Sequence, residues 1–486
     1  MKSKKIKFGS IATAFTVLFI VAVVVLNILA TFLTDRFALR ADMTDARIFD
    51  ITDQTKQYLA ELKEEITITV LAPESLYEEG AVDATASGSL RPVKEILTRY
   101  EALSGGRVTV RYVDPYTNGD IVSKYNTLSN LNRGDIIVES DRRFKRVQPS
   151  SLYSWTQDPS QLEQQVTGIQ AEQTLTSAIA YCVMEKLPKA LNIIGHDEES
   201  LRSLNSILTS GNYDLSTINI LTEEIPDDCS MIIINKPKAD YSDADINKLD
   251  AYFARGGNAM IFLDLEIKSL PVLERYIAEW GVKFESMRVA DAERAIGNQP
   301  NMLAPIPDAS HEITKGLAGR GQYLLSPDTR ALTILYDQQN WRSTYPLLYS
   351  SSESYGKYVT AGSSATSVAR EAGDPAGPFD ICVLTEDANA GTPGAKVSRI
   401  LFASTGLALD DVLDNDTFRN SAFFARALNY MGANEDTILV EPIYFTSSTL
   451  SIIRTQVMGV FWVLVVAIPV VILGTGTFVW IKRRNM

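Results

Sequence analysis

Only three cysteines (Cys182, Cys229 and Cys382) and two histidines (His196 and His311) occur in the 486 residues. No CxxC pair exists, so thioredoxin-type redox chemistry and cysteine-ligated zinc are excluded, and two histidines rule out a His-rich metal centre. Three buried free thiols are the expected state, with Cys229 and Cys382 the pair open to a bridge across the fold. A Walker A sequence is absent, so ATP hydrolysis by that route is excluded. Acid is missing from both ends of the chain. Lys2, Lys4, Lys5 and Lys7 lie at the start and Lys482, Arg483 and Arg484 at the finish, leaving a middle of about −20 out of a total of −13. That acidity argues against nucleic acid as a partner.

Long apolar runs are present at the two ends. Residues 11–33 and 457–481 carry no charge over 23 and 25 positions, enough for a helix to cross a bilayer core of about 30 Å. A secretory signal is the competing reading of the first. Its apolar run is too long for one, and Ala30-Thr31-Phe32 is a poor cleavage site, so an uncleaved anchor is expected. The basic flanks place both termini in the cytoplasm and residues 34–456 outside it.

Between the anchors the pattern predicts two α/β domains. Residues 66–71 and 108–113 alternate as strands, 93–103 has the spacing of a helix, and 135–139 with 144–148 reads as a hairpin. Thr52 or Asp53 is placed to cap a helix through Leu59. This β-α-β, β-β succession predicts a thioredoxin-like domain over 35–155, without cysteine between 58 and 150. Residues 161–185 read as one long helix linking the domains (156–189).

From residue 190 short apolar strands (190–194, 215–220, 231–235, 258–263) alternate with helical segments (201–210, 243–255, 270–280). That alternation predicts a doubly wound parallel sheet whose crevice lies beyond the carboxyl ends of its strands. Asp197 or Ser200 is the expected cap of the first helix, and His196 to Glu199 its acidic first turn. Beyond Trp280 the pattern loosens into an insertion, with 351–379 expected as a mobile loop. Strands resume at 331–336, 344–350, 380–385 and 397–404, and a helix at 420–431 closes the domain near 432. A connector over 433–456 leads to the last span.

Several short sequences together resemble the GldG-like family, gliding-motility-type auxiliary components of ABC transporters. They are Asp50-Ile51-Thr52-Asp53-Gln54-Thr55, Val110-Arg111-Tyr112-Val113-Asp114-Pro115, Glu172-Gln173-Thr174-Leu175, Gly195-His196-Asp197-Glu198, Ile225-Pro226-Asp227-Asp228 and Arg255-Gly256-Gly257. The resemblance implies a subunit outside the cytoplasm working with a separate permease and ATPase, and an α/β domain similar to flavodoxin-like, class I amidotransferase-like domains without catalysis. The family's Gly-Asp-Ser after the late strand is replaced here by Ala403-Ser404-Thr405-Gly406.

No catalytic, cofactor-binding or metal residue is assigned. None of the cysteines falls at the strand-to-helix elbow a nucleophile needs. The candidate crevice residues are His196, Asp197, Glu198, Ser404 and Thr405. Lipid is the expected partner of the spans, and Gly474 with Gly476 offers a close-packing surface to permease helices. Two other function classes are a membrane-tethered module for an envelope ligand and an enzyme using the crevice near His196.

Overall fold

The computed structural model describes residues 18–25, 50–78, 90–118, 120, 124–125, 131–157, 164–265, 270–297, 299–317, 323–359, 368–389, 396–415, 417–432, 440 and 443–444. Residues 18–25 are helical, and their apolar side chains are exposed. Among the described residues no helix is long and apolar enough to cross a membrane. Most of the first expected span, and all of the second with Gly474 and Gly476, lie outside them.

The first half opens with helix α1 (Asp53–Glu61), whose Thr52 hydroxyl accepts the Thr55 N–H at 3.3 Å. Strand β1 (Ile66–Val70) follows, then helix α2 (Arg91–Leu103), β2 (Val108–Tyr112), β3 (Ile136–Glu139) and β4 (Phe144–Val147). The sheet order is β2-β1-β3-β4, with β1 parallel to β2 and antiparallel to β3. Val93, Ile96, Leu97 and Tyr100 put one face of α2 onto Ile66, Ile68 and Val70.

The expected long helix over 161–185 is corrected. Its first part is strand β6 (Gln164–Ile169), paired with β5 (Tyr153–Gln157), and helix α3 begins only at Ala171 and ends at Val183. Gln170 stands outside helical backbone values (φ −113°, ψ 8°). The backbone partners of β6 lie across a sheet, so helical spacing nearby could not reveal them.

The second half holds β7 (Lys189–Ile194), helix α4 (Arg202–Ser210), β8 (Asp214–Asn219), β9 (Cys229–Asn235), helix α5 (Asp243–Ala254), β10 (Asn258–Leu263) and helix α6 (Pro271–Glu279). Then come β11 (Val282–Ala290), β12 (Arg330–Ile334), β13 (Arg342–Tyr349), β14 (Tyr355–Tyr358), β15 (Asp380–Asp387), β16 (Ser398–Ser404), helix α7 (Asn420–Met431) and β17 (Ile443–Tyr444). Five strands form a parallel core in the order β8-β7-β9-β10-β16. In chain order this is 2-1-3-4-5, a doubly wound arrangement whose switch point lies between β7 and β9. Both faces are covered, which is why these strands read as nearly unbroken apolar runs. Met231, Ile233, Met260 and Phe262 pack with Leu204 and Leu208 of α4 and Phe423, Phe424 and Leu428 of α7. Ile232, Ile234 and Ile261 pack with Leu249 and Phe253 of α5 and Leu273 and Ile277 of α6.

The parallel core continues into an antiparallel extension of the same 12-stranded sheet. The sequence reading placed an irregular insertion here. It missed β11 because the register shifts between Phe284 and Arg288. The buried positions change from Val282 and Phe284 to Met287 and Val289, and a period of two is lost across such a bulge. The loop expected over 351–379 is also corrected: Tyr355–Tyr358 pairs with Met287–Ala290 as the edge strand.

Helix α3 packs on both halves. Leu175, Ala178 and Ile179 join the core of the first. Asn212, in the turn after α4, donates from Nδ2 to the Ser177 carbonyl at 2.8 Å, and its Oδ1 accepts from Lys145 Nζ at 2.7 Å.

Candidate functional site

Strand β7 ends at Gly195, whose backbone is left-handed (φ 135°), and a Cβ there would stand 2.8 Å from Asn219 Oδ1. The turn carries His196 inward, to 4% exposure, between the loops that follow β7 and β9. Its ring stacks on Tyr241 at 3.9 Å between centroids and 15° between planes. Nδ1 is 3.4 Å from Glu198 Oε1, and Nε2 is 3.4 Å from Asp245 Oδ2. Neither distance makes a firm hydrogen bond, and among the described residues Nδ1 has no hydrogen-bond partner.

The surrounding groups are tightly tied. Glu198 accepts the His196 N–H at 2.7 Å and the Tyr241 hydroxyl at 2.8 Å. The His196 carbonyl accepts from the Lys238 and Ala239 amides. Asp245 and Ser242 form a reciprocal cap on α5. Burial works to raise the Asp245 carboxyl, but the Ser242 bonds and the neighbouring His196 outweigh it and hold it below the usual range. Burial first, and then the Glu198 charge, pushes the Tyr241 phenol well above its ordinary value. His196 therefore joins two loops under the switch point.

Asp197 is exposed in a left-handed conformation (φ 58°). The expected cap by Asp197 or Ser200 is corrected: neither caps α4, and no acidic first turn forms, because the helix starts only at Arg202. The buried Leu201 takes the cap position, and the Ser203 amide donates to Asp410 Oδ1 at 2.8 Å. The cap thus comes from a residue distant in sequence.

Ser404 and Thr405 lie at the carboxyl end of β16 and are 1% and 4% exposed. Thr405 Oγ1 donates to Asn235 Oδ1 at 3.1 Å, and Asn235 Nδ2 donates to the Glu199 carbonyl at 2.9 Å. A Cβ on Gly406 would stand 2.0 Å from the Pro327 carbonyl oxygen, so the insertion presses directly on this strand end. Asn420 secures it, bonding Leu325 through both its amide and its carbonyl. The carboxyl ends of β9 and β16 are thereby covered by the chain's own atoms. Among the described residues no hydrogen bond joins the His196 group to Ser404.

Sequence reasoning missed Asn235, Tyr241 and Asp245, and also Lys236 at the rim. Lys236 is left-handed (φ 52°), with Nζ 2.9 Å from Asp264 and 3.5 Å from Glu199. A non-glycine, non-asparagine residue in that conformation shows only in the backbone. At the opposite end of the sheet a cavity of about 330 Å³ is lined by Lys186, Asp228, Cys229, Arg255, Gly256 and Lys396. All three cysteines are free and buried. Burial pushes the Cys229 thiol up to about 11 and the Cys182 thiol up to about 12. Among the described residues no group of three or more His, Cys, Asp or Glu is placed to hold a metal ion.

Residues 188–371 match the family model described as an ABC-type uncharacterized transport system. That match supports the ABC-transport auxiliary family. The matched segment starts at β7, and residues 45–172 match a separate domain of unknown function, DUF7088. Most of α3 lies between the two matches. No curated protein matches the chain. Among solved structures, an mmIFT52 N-terminal domain is 16% identical with a TM-score of 0.37, covering 50% of this chain and 96% of its own. A PurLQS structure from Thermotoga maritima is 11% identical with a TM-score of 0.29, covering 51% of this chain and 100% of its own. Neither likeness is strong enough to bear on function.

Proposed function

We propose that this chain is a non-catalytic auxiliary subunit of an ABC-type transport system, working with a separate permease and ATPase. The match of residues 188–371 carries the reading. The covered strand ends agree with it, since Asn235, Thr405 and Pro327 fill the carboxyl ends of β9 and β16 beside the switch point. The strand order β2-β1-β3-β4 agrees with a thioredoxin-like first half, and the 2-1-3-4-5 core with a flavodoxin-like or amidotransferase-like second half. The quoted sequence set favours the GldG-like branch. The uncharged runs at 11–33 and 457–481 and their basic flanks favour two membrane anchors, cytoplasmic termini and a bulk outside the cytoplasm.

Affinity purification of the tagged full chain from solubilised membranes tests the proposal. A permease and an ATPase subunit should be recovered with it. Recovery of the chain alone under several mild detergents would favour the tethered binding module instead. Impermeant thiol labelling of a cysteine placed at Ser364, in a background free of other cysteines, tests the topology. Labelling in intact cells is expected, and labelling only after the membrane is opened would refute it.

A further inference from the structure

The β3–β4 hairpin carries four basic residues, and they divide by side. Arg142 pairs with Glu64 at 2.8 Å and Glu185 at 3.7 Å, and Arg146 pairs with Asp135 at 2.9 Å. Arg143 and Lys145, on the alternate side, lean instead on one aromatic ring of α3. The Arg143 guanidinium lies 5.3 Å and Lys145 Nζ 5.0 Å from the Tyr181 centroid. Their oxygen partners are neutral. Arg143 donates to the Met184 and Glu185 carbonyls, and Lys145 to Asn212 Oδ1. Among the described residues neither has a carboxylate within ion-pair distance. The chain does not lack acids, having 59 against 46 bases.

Two cations on one ring repel each other, and half-burial weakens the water screening that would relieve them. Burial holds the Lys145 ammonium below its ordinary range against the opposing pull of the nearby Cys182 thiol, the expected result where no carboxylate offsets desolvation. The Tyr181 face supplies part of the missing stabilisation. An oxyanion bound by these side chains would supply the rest. An arginine fork with a lysine point charge is a suitable pair of donors for one.

We propose that Arg143, Lys145 and Tyr181, at the joint between the two halves, form a binding site for a phosphate-type oxyanion. The anion is either free phosphate or the phosphate of an anionic lipid headgroup. With Lys145 also bonded to Asn212, an occupied site would stiffen the joint.

The test uses the full-length chain in neutral detergent, titrated calorimetrically at matched ionic strength. One probe is inorganic phosphate; the other is dioctanoyl phosphatidylglycerol below its micelle concentration. Binding of both points to the shared chemistry, and binding of the lipid alone to the headgroup source. Either supports the proposal if the double variant R143Q/K145Q binds at least tenfold more weakly while R142Q stays within threefold of the native chain. Should the double variant fail to fold, Lys145→Gln alone is judged by the same tenfold criterion. Failure of both probes to bind, or equal binding by the neutralised variant, overturns the proposal.

Discussion

Thr405 donates its hydroxyl proton to Asn235 Oδ1 at 3.1 Å, which joins the carboxyl end of the fifth parallel strand to that of the third. Asn235 is 3% exposed and also holds the Glu199 carbonyl. Asn235→Ala removes both bonds inside the core and should cost about 1–3 kcal/mol. Thr405→Val, which leaves the Glu199 bond intact, should cost less. Denaturant unfolding of the two variants measures the difference, and equal losses would mean that the Glu199 bond contributes nothing.

Gly406→Ala brings a methyl group into the Pro327 carbonyl. Backbone cannot rotate away as a side chain would, so residues 326–327 must shift. A clear fall in Tm is expected, together with faster hydrogen exchange at the Leu325 amide, which Asn420 holds. An unchanged exchange rate would show that the strand end is not pinned there.

At the joint, Asn212 is left-handed (φ 63°) as well as buried. Asn212→Gly and Asn212→Ala lose the same side-chain bonds, but alanine adds about 1–2 kcal/mol for the left-handed backbone. The glycine variant should therefore melt above the alanine variant, with both below the native chain. The reverse order would indicate that the turn relaxes out of that conformation.

Asp380 has its carboxyl raised to about 6 by burial, which outweighs the opposing bond from the Ile334 backbone. Its folded-state value lies above the unfolded one, so the charged form is the disfavoured one in the fold. The resulting penalty is absent below about pH 4, grows as pH rises to about 6, and stays constant above that. Asp380→Asn should stabilise the protein at pH 7.5 by roughly 1 kcal/mol, after allowance for solvent screening. The gain should vanish near pH 4, and a gain that is the same at both pH values would rule out this titration as its source.

Those elements whose evidence is local were legible in the sequence. Met231 to Asn235 announces a strand buried on both faces, and helix 420–431 was placed with the bounds the structure gives it. The carboxyl ends of the strands were found as a location, with His196, Glu198 and Thr405 all near them. The tight enclosure of His196 was not legible, because Tyr241 and Asp245 come from the loop and helix after another strand. The cap of α4 by Asp410, the bulge in β11 and the pairing of β6 likewise depend on partners remote in sequence or on a change of period. Helical spacing around 161–185 gave a wrong element for the same reason.

The last strand among the described residues, Ile443–Tyr444, lies antiparallel to Gly168 and Ile169 of β6, and Val440 packs on Ala180 of α3 and on Met184, just past its end. The chain thus returns, after the whole second half, to the sheet it left at Gln170. During synthesis this edge of β6 stays open until residues 443–444 emerge, long after its other neighbour, β5, is in place. A chain stopped before residue 443 would keep an unpaired strand edge exposed, which is the kind of surface that recruits other chains. Pairing of β6 on its second edge therefore waits for a segment from the far end of the second half.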